Sequence, residues 1–442
     1  MQTPANGSRL HARWLAGISA MVLLAYCFTL GGCKAVFGVA NTIVYIAEST
    51  REECDQFEPL QRPCTTGEKT ECYCDVGEGF RVCLERGDAW SICNCLREQK
   101  WEVPVEGFVR SPPRAAAGGM VFVGSADGKL YAVDSDGYVT WKKSLGLTGD
   151  ASPAIGKQGT VYVSAMSGEV GCLFALKPGG DVKWKVELAS GPVSTPVIGP
   201  HEKLYVASGN ELYAVDEDGG VVWRFVAPGK NIPGISSPSV GRGGAVFFVV
   251  TDPDSGAGIL FARSLGGGHG WQFRLNSGFS TPAVPGEGGV VYIGSRKGYL
   301  HAIDAAGHTK WKVYLGSEVG RPAVGADGRV YAGAGNMLWN IGREGQKLWG
   351  VEPYKVPAAG CGFMSAPLVG NDGTIYATST NGYLYALDKD GRQKWLFSSG
   401  ERLVSAPVLG KDGTVYVCSE PGLLYALQPA EAEIDVASRG GE

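Results

Sequence analysis

The chain has little of what an enzyme or a nucleic-acid-binding protein of this size displays. Its 442 residues hold five histidines, His11, His201, His269, His301 and His308. They are scattered, and none stands in a spaced metal motif or beside an obvious serine or cysteine partner. No metal site is therefore expected, and no catalytic residue can be named. No block of basic residues occurs and the formal net charge is −4, so nucleic acid is not an expected partner. A Cys-x-x-Cys-His run, the mark of attached c-type haem, is absent. No cofactor is implied by any motif.

What is abundant is glycine, 67 residues, and a spaced tryptophan. Trp101, Trp141, Trp184, Trp223, Trp271, Trp311, Trp349 and Trp395 recur at intervals of 38 to 48 residues. A period near 40 with strand-like patterning marks a β-propeller, one four-stranded blade per repeat. Four repeats read A-x-D-x-x-G-x-x-x-W: Ala132 to Trp141, Ala214 to Trp223, Ala302 to Trp311, and Ala386 to Trp395. Two more keep the frame without the aspartate, from Ala175 and Ala262. The sixth, from Asn340, is the most worn. Short runs such as Val161-Tyr-Val and Leu173-Phe-Ala-Leu supply β-branched and aromatic strand residues. The Asp-x-Asp-Gly segments are expected to form hairpin turns, the aspartate accepting backbone N–H groups. Calcium is the weaker reading, because the downstream acidic ligands of a calcium loop are missing. A proline such as Pro153, Pro196 or Pro238 precedes each blade and suits the opening of an innermost strand. The last repeat has no tryptophan of its own, whereas Trp101 precedes any complete blade. The segment around Trp101 is thus expected to supply the outer strand of blade eight and close the ring.

The fold expected is all-β: an eight-bladed propeller over residues 100–429, preceded by a small disulfide-rich module. Residues 1–32 read as a signal peptide, with Arg9 and Arg13 before an apolar stretch from Trp14 to Leu30. The run Leu30-Gly31-Gly32-Cys33 resembles a bacterial lipobox, which makes Cys33 the lipidation site and residues 33–53 a lipid-anchored linker. An uncleaved membrane anchor is the alternative. Residues 54–99 carry Cys54, Cys64, Cys72, Cys74, Cys83, Cys93 and Cys95. Such density in an exported chain points to disulfides. Zinc fits less well, since Cys-x-Cys is not the usual knuckle spacing and no histidine lies nearby. Residues 430–442 form a polar tail.

The A-x-D-x-x-G-x-x-x-W unit resembles the repeat of pyrroloquinoline-quinone-type propellers, and among them the non-enzymatic outer-membrane-assembly lipoproteins of the BamB type. That resemblance implies a monomeric eight-bladed ring, a lipid anchor, location at the outer membrane (periplasmic face or cell surface), and docking of other envelope proteins, components of β-barrel assembly among them. The quinone dehydrogenases of the same superfamily have adjacent cysteines over the cofactor, and this chain has no Cys-Cys pair. Binding of cell-wall glycan or another surface ligand is the alternative.

Departures from the repeat point to where partners could sit. Blade four has an extended turn with Asp252 and Asp254. The connections into blades four and seven are long, and carry Lys230 and Asn231, and Tyr354 and Lys355. Alternating strand direction puts the loop leading into an inner strand on the same rim as the turn between the second and third strands. The six residues are therefore expected to share one partner surface. The same geometry allows a disulfide between Cys361 and Cys418.

Overall fold

A computed structural model of the chain describes residues 99–428, apart from 148–151, 230–231, 233, 280, 353–361 and 364. Upstream it describes the backbone of five short strands. Cys33–Ala35 pairs with Ala47–Ser49, and Lys69–Cys74, Gly77–Val82 and Asn94–Cys95 form a three-stranded sheet. The cysteine side chains of the module and the lipid chemistry of Cys33 lie outside the described residues.

Residues 99–428 form eight antiparallel four-stranded sheets, one per blade. The expected closure is present. Leu423–Leu427, third strand of blade eight, pairs with Gln99–Pro104, and Ala426 lies opposite Trp101. The two ends of the described ring thus meet in one sheet, and no blade lacks its fourth strand. Among the described residues the only helical pieces are two 3₁₀ turns, Pro200–Glu202 and Glu287–Gly289.

There is no single core. Buried side chains form eight clusters, each between two adjacent blades. In one, Val123, Tyr131 and Val133 of blade one pack on Tyr416, Cys418 and Leu424 of blade eight. This follows from strand composition. Second strands such as Val121–Gly124 and Leu204–Ser208 are buried throughout, with apolar residues on both faces. The outer strands alternate, as in Val139–Ser144, with the tryptophan half-buried between exposed neighbours.

Trp395 is fully buried and meets Tyr376 at 5.7 Å; in the other seven blades the tryptophan makes three contacts, two of them to the next blade. Within its own blade it meets an aromatic of the second strand. The ring centroids lie 5.8 Å apart for Trp141 and Phe122, and 5.7 Å apart for Trp311 and Tyr292. Its indole Nε1 reaches the next blade and donates to a turn carbonyl: Trp101 to Ser135 at 2.8 Å, Trp141 to Pro178 at 2.9 Å, and Trp349 to Lys389 at 2.9 Å. Its ring lies on the repeat glycine of that turn. A Cβ on Gly307 would stand 2.8 Å from Trp271 Cδ2, and one on Gly137 would stand 2.9 Å from Trp101 Cγ. A bulge just before the tryptophan, between Val139 and Trp141 in blade one, re-aims the side chain.

The repeat glycine is therefore required twice, for its positive φ and for the ring above it. Gly307 has φ +87°. Gly307→Ala is expected to cost about 2 kcal/mol, from left-handed strain and ring displacement. Gly118→Ala, where a Cβ would meet nothing within 4 Å, is expected to stay within about 0.5 kcal/mol of the parent. Urea midpoints of the two variants check the contrast.

The Asp-x-Asp-Gly segments form the expected turns. Asp134 Oδ1 accepts the N–H of Asp136 at 3.0 Å and of Tyr138 at 2.8 Å. Asp216, Asp304 and Asp388 repeat the pattern. Of the expected Cys361–Cys418 pair only Cys418 is described. Cys418 is a free, fully buried thiol, packed in the cluster between blades eight and one, and burial pushes its pKa up. It ends the second strand, and its side chain packs in the blade interface. Its supposed partner Cys361 lies outside the described residues. Cys172 is likewise free and buried.

Candidate partner-docking rim

Backbone bonds show that the loops leading into inner strands and the turns between second and third strands share one rim. Val105 N–H donates to Gly422 O at 2.7 Å, and Val109 N–H to Glu420 O at 3.1 Å. At blade one, Ala126 N–H donates to Phe108 O at 3.0 Å, and at blade seven Thr380 N–H donates to Gly362 O at 3.1 Å. Each loop thus lies on a neighbouring hairpin end, and the rim is a packed surface.

Blade four raises this rim as expected. Its second and third strands, Ala245–Thr251 and Gly258–Ser264, have seven residues each, against four and five in blade one. The turn between them holds Asp252 and Asp254. Asp252 Oδ1 accepts the N–H of Asp254 at 3.0 Å and of Ser255 at 3.2 Å, and its Oδ2 meets Arg274 at 3.1 Å. Those backbone donors, Ser255 first, lower the Asp252 pKa. Asp252 is thus committed to shaping the turn, and Asp254 stands at its tip. Lys230, Asn231, Tyr354 and Lys355 lie outside the described residues. Blade two carries an equally long hairpin, Val161–Ser167 and Val170–Leu176. Its extra length is distributed along regular strands and leaves no irregular loop to notice in the sequence.

The seam between blades eight and one holds a second rim feature absent from the sequence reading. Phe108, in the loop leading into blade one, is 57% exposed. Arg110 Cζ lies 5.9 Å from its ring centroid. Arg110 also meets Glu420 at 3.4 Å, and Glu420 meets Arg402 at 3.2 Å. On the other side Lys129 bridges Glu106 at 2.8 Å and Asp127 at 2.9 Å, and Glu106 reaches Lys142 at 3.4 Å. Tyr131 Oη donates to Asp127 at 2.6 Å. Burial, then the bond to Asp127, raises the Tyr131 pKa to about 12. Its hydrogen bonds to Lys129 hold Glu106 below the usual carboxylate range. The result is an exposed aromatic flanked by fixed charges of both signs. Such an arrangement is suited to an anchor with a polar surround. The signal was weak, since a single phenylalanine in Glu106-Gly-Phe-Val-Arg110 breaks no repeat.

Comparisons with known proteins bear on this rim only through the fold. A family model described as "Outer membrane protein assembly factor BamB" matches residues 97–170, 126–265, 259–395 and 341–435. No curated protein sequence matches the chain. Among solved structures, BamB from Moraxella catarrhalis aligns with a TM-score of 0.56 and 18% identity, over 76% of this chain and 99% of that one. The computationally designed Ika8 protein aligns at 0.59 and 13%, over 76% and 99%. A quinohemoprotein alcohol dehydrogenase from Pseudomonas putida HK5 aligns at 0.56 and 14%, over 75% and 76%. At these identities the structural likenesses speak for the propeller alone.

Proposed function

The chain belongs to the BamB family of PQQ-repeat propellers, and from that premise we propose that it is a non-enzymatic docking scaffold of the bacterial cell envelope. In this reading Cys33 carries the lipid that holds the chain at the outer membrane. The propeller presents its loop rim to other envelope proteins, with components of β-barrel assembly as the leading class. The observation that supports docking is Phe108, exposed at the seam and set between the Arg110–Glu420–Arg402 and Glu106–Lys129–Asp127 networks. The aromatic supplies apolar area at small entropic cost, and the flanking charges give register and partner choice. Asp254 extends the proposed surface on the same rim, and Lys230, Asn231, Tyr354 and Lys355, outside the described residues, are its further candidates from the sequence. The repeated aspartates are engaged by their own turns, so the residues most suggestive of chemistry are used for folding.

The test is affinity capture from detergent-solubilised envelope with the parent chain, Phe108→Ala, and the pair Tyr354→Ala with Lys355→Ala. Phe108→Ala is expected to reduce captured envelope protein at least tenfold, matching an anchor worth about 2 kcal/mol. Equal capture by all three chains would overturn the rim reading. Retention of polysaccharide in place of protein would support the glycan alternative. Quinone-dependent alcohol turnover would restore the enzyme.

A further inference from the structure

On the rim opposite the loops, blades four and five enclose a cavity of about 640 Å³. Two turns between first and second strands line it, at residues 241–243 and 286–289, together with Phe247, Trp271 and Ala305. The corresponding space between blades eight and one holds about 190 Å³. The repeat is the same in both places, so the difference lies in individual side chains.

Two missing side chains open the larger space. Backbone bonds align the turns. Gly241 N–H donates to Ala245 O, as Gly156 N–H donates to Thr160 O and Gly410 N–H to Thr414 O. Gly286 N–H donates to Val290 O, as Gly199 N–H donates to Lys203 O. Gly243 therefore stands where blade eight has Asp412, which lines the smaller space and accepts Thr414 N–H at 3.1 Å. Gly289 stands where blade three has Glu202. Glu202 takes a positive φ of 54°, and its Oε2 crosses to blade two to accept the N–H of Lys157 at 3.1 Å. That oxygen lies 2.6 Å from where a Cβ on Gly156 would be. A protein carboxylate thus closes the turn ends of blades two and three. Between blades four and five the same post is Gly289, at φ +78°. The N–H of Arg242, counterpart of Lys157, has no acceptor among the described residues.

We propose that this cavity binds a small monocarboxylate with a ring-shaped apolar body. The ligand's carboxylate takes the place that Glu202 holds between blades two and three and accepts the Arg242 N–H, with the Arg242 side chain on the same wall. The ring lies against Phe247 and Trp271, whose own centroids are 5.9 Å apart. The volume is in the range of small-molecule sites. Glu287, exposed on the same lining, sets a like charge against a second acidic group, so a dianion is disfavoured. The ligand is either a free acid or the C-terminal residue of a peptide chain. The site lies on the rim away from Phe108 and does not rest on the docking reading.

The test is calorimetric titration of the full chain with phenylacetate, with its neutral counterpart phenylacetamide, and with the tripeptide glycyl-glycyl-phenylalanine. The variants are Gly289→Glu, which restores the blade-three carboxylate, and Arg242→Glu. Lys411→Glu, at the equivalent turn position of blade eight, is the charge control. The parent and Lys411→Glu are expected to bind a carboxylate probe alike. Gly289→Glu and Arg242→Glu are expected to bind it at least tenfold more weakly, and phenylacetamide to bind the parent at least tenfold more weakly. Arg242 is exposed on a turn, so its variant keeps the fold even if a side chain at Gly289 does not. Tighter binding of phenylacetate identifies a free acid, and tighter binding of the tripeptide identifies a chain terminus. No binding of either carboxylate to the parent, equal binding of phenylacetamide, or undiminished binding by Arg242→Glu would each overturn the site. Envelope capture through Phe108 could still succeed in those cases, so the two readings fail separately.

Discussion

Trp101→Ala is expected to destabilise the propeller by about 3 kcal/mol, the range seen when a large aromatic is removed from a packed site. The side chain is half-buried, so the figure sits at the low end of that range. Three contacts disappear together. The ring loses Tyr416, at a centroid distance of 5.8 Å. Ser135 O loses its indole donor at 2.8 Å. Gly137 loses the ring that covers its turn. Trp141, Trp184, Trp223, Trp271, Trp311 and Trp349 make similar contacts, each with its aromatic partner in a blade formed by one continuous stretch of chain. Trp101 meets Tyr416 where the two ends of the ring come together without chain continuity, at the pairing of Gln99–Pro104 with Leu423–Leu427. Equilibrium urea unfolding checks the expectation, with Trp184→Ala as the reference. A lower midpoint at constant slope means a weaker but closed ring. A lower midpoint with reduced slope means that the seam opens and cooperativity is lost. Trp101→Phe should restore the packing on Tyr416 and leave a deficit of about 1 kcal/mol for the missing hydrogen bond. An Ala variant within about 0.5 kcal/mol of the parent would refute the seam's role.

The seam was legible because its logic is arithmetic. Eight tryptophans and a final repeat without one leave a single place for Trp101, and the ladder to Ala426 is there. The turn aspartates were legible too, since a carboxylate two residues before an N–H has one common use. The rim was only partly so. Asp252 and Asp254 stand out because they lengthen a loop, yet Asp252 is spent on its own turn and on Arg274. Phe108 was missed because its importance lies in being uncovered, and exposure is set by loops that pack from blade eight. The charge network of Lys129 joins Glu106 and Asp127, which are 21 residues apart in sequence and mean nothing until two loops meet. Cys418 packs in the interface between blades eight and one, a placement that rim proximity in the sequence does not reveal.

Lowering pH from about 7 to about 4 is expected to remove up to about 3 kcal/mol of stability through one side chain, His301. It lies in the third strand of blade five, 4% exposed, with neither ring nitrogen hydrogen-bonded. Phe273 and Tyr299 flank it, and Lys312 lies opposite in the register. Burial first, then the Lys312 charge, lowers its pKa to about 4, against about 6.5 in an unfolded chain. Above 6.5 the imidazole is neutral in both states and contributes no pH dependence. Between 6.5 and 4 the unfolded chain takes up a proton that the folded chain refuses, so stability falls as pH falls. Below 4 both states are protonated and this contribution levels off. The depressed carboxylates, Asp127, Asp304, Asp372 and Asp412, act in a separate and lower window. Their stabilisation is present above the unfolded carboxylate pKa near 4 and is lost below it. Urea unfolding of the parent and His301→Leu at pH 7.5, 5.5 and 4.5 separates the two. The parent should lose stability across that series while the variant stays nearly flat, so that the difference between them changes by about 2 kcal/mol or more. Parallel loss in both chains would show that His301 is protonated in the folded ring, with its charge accommodated between blades four and five.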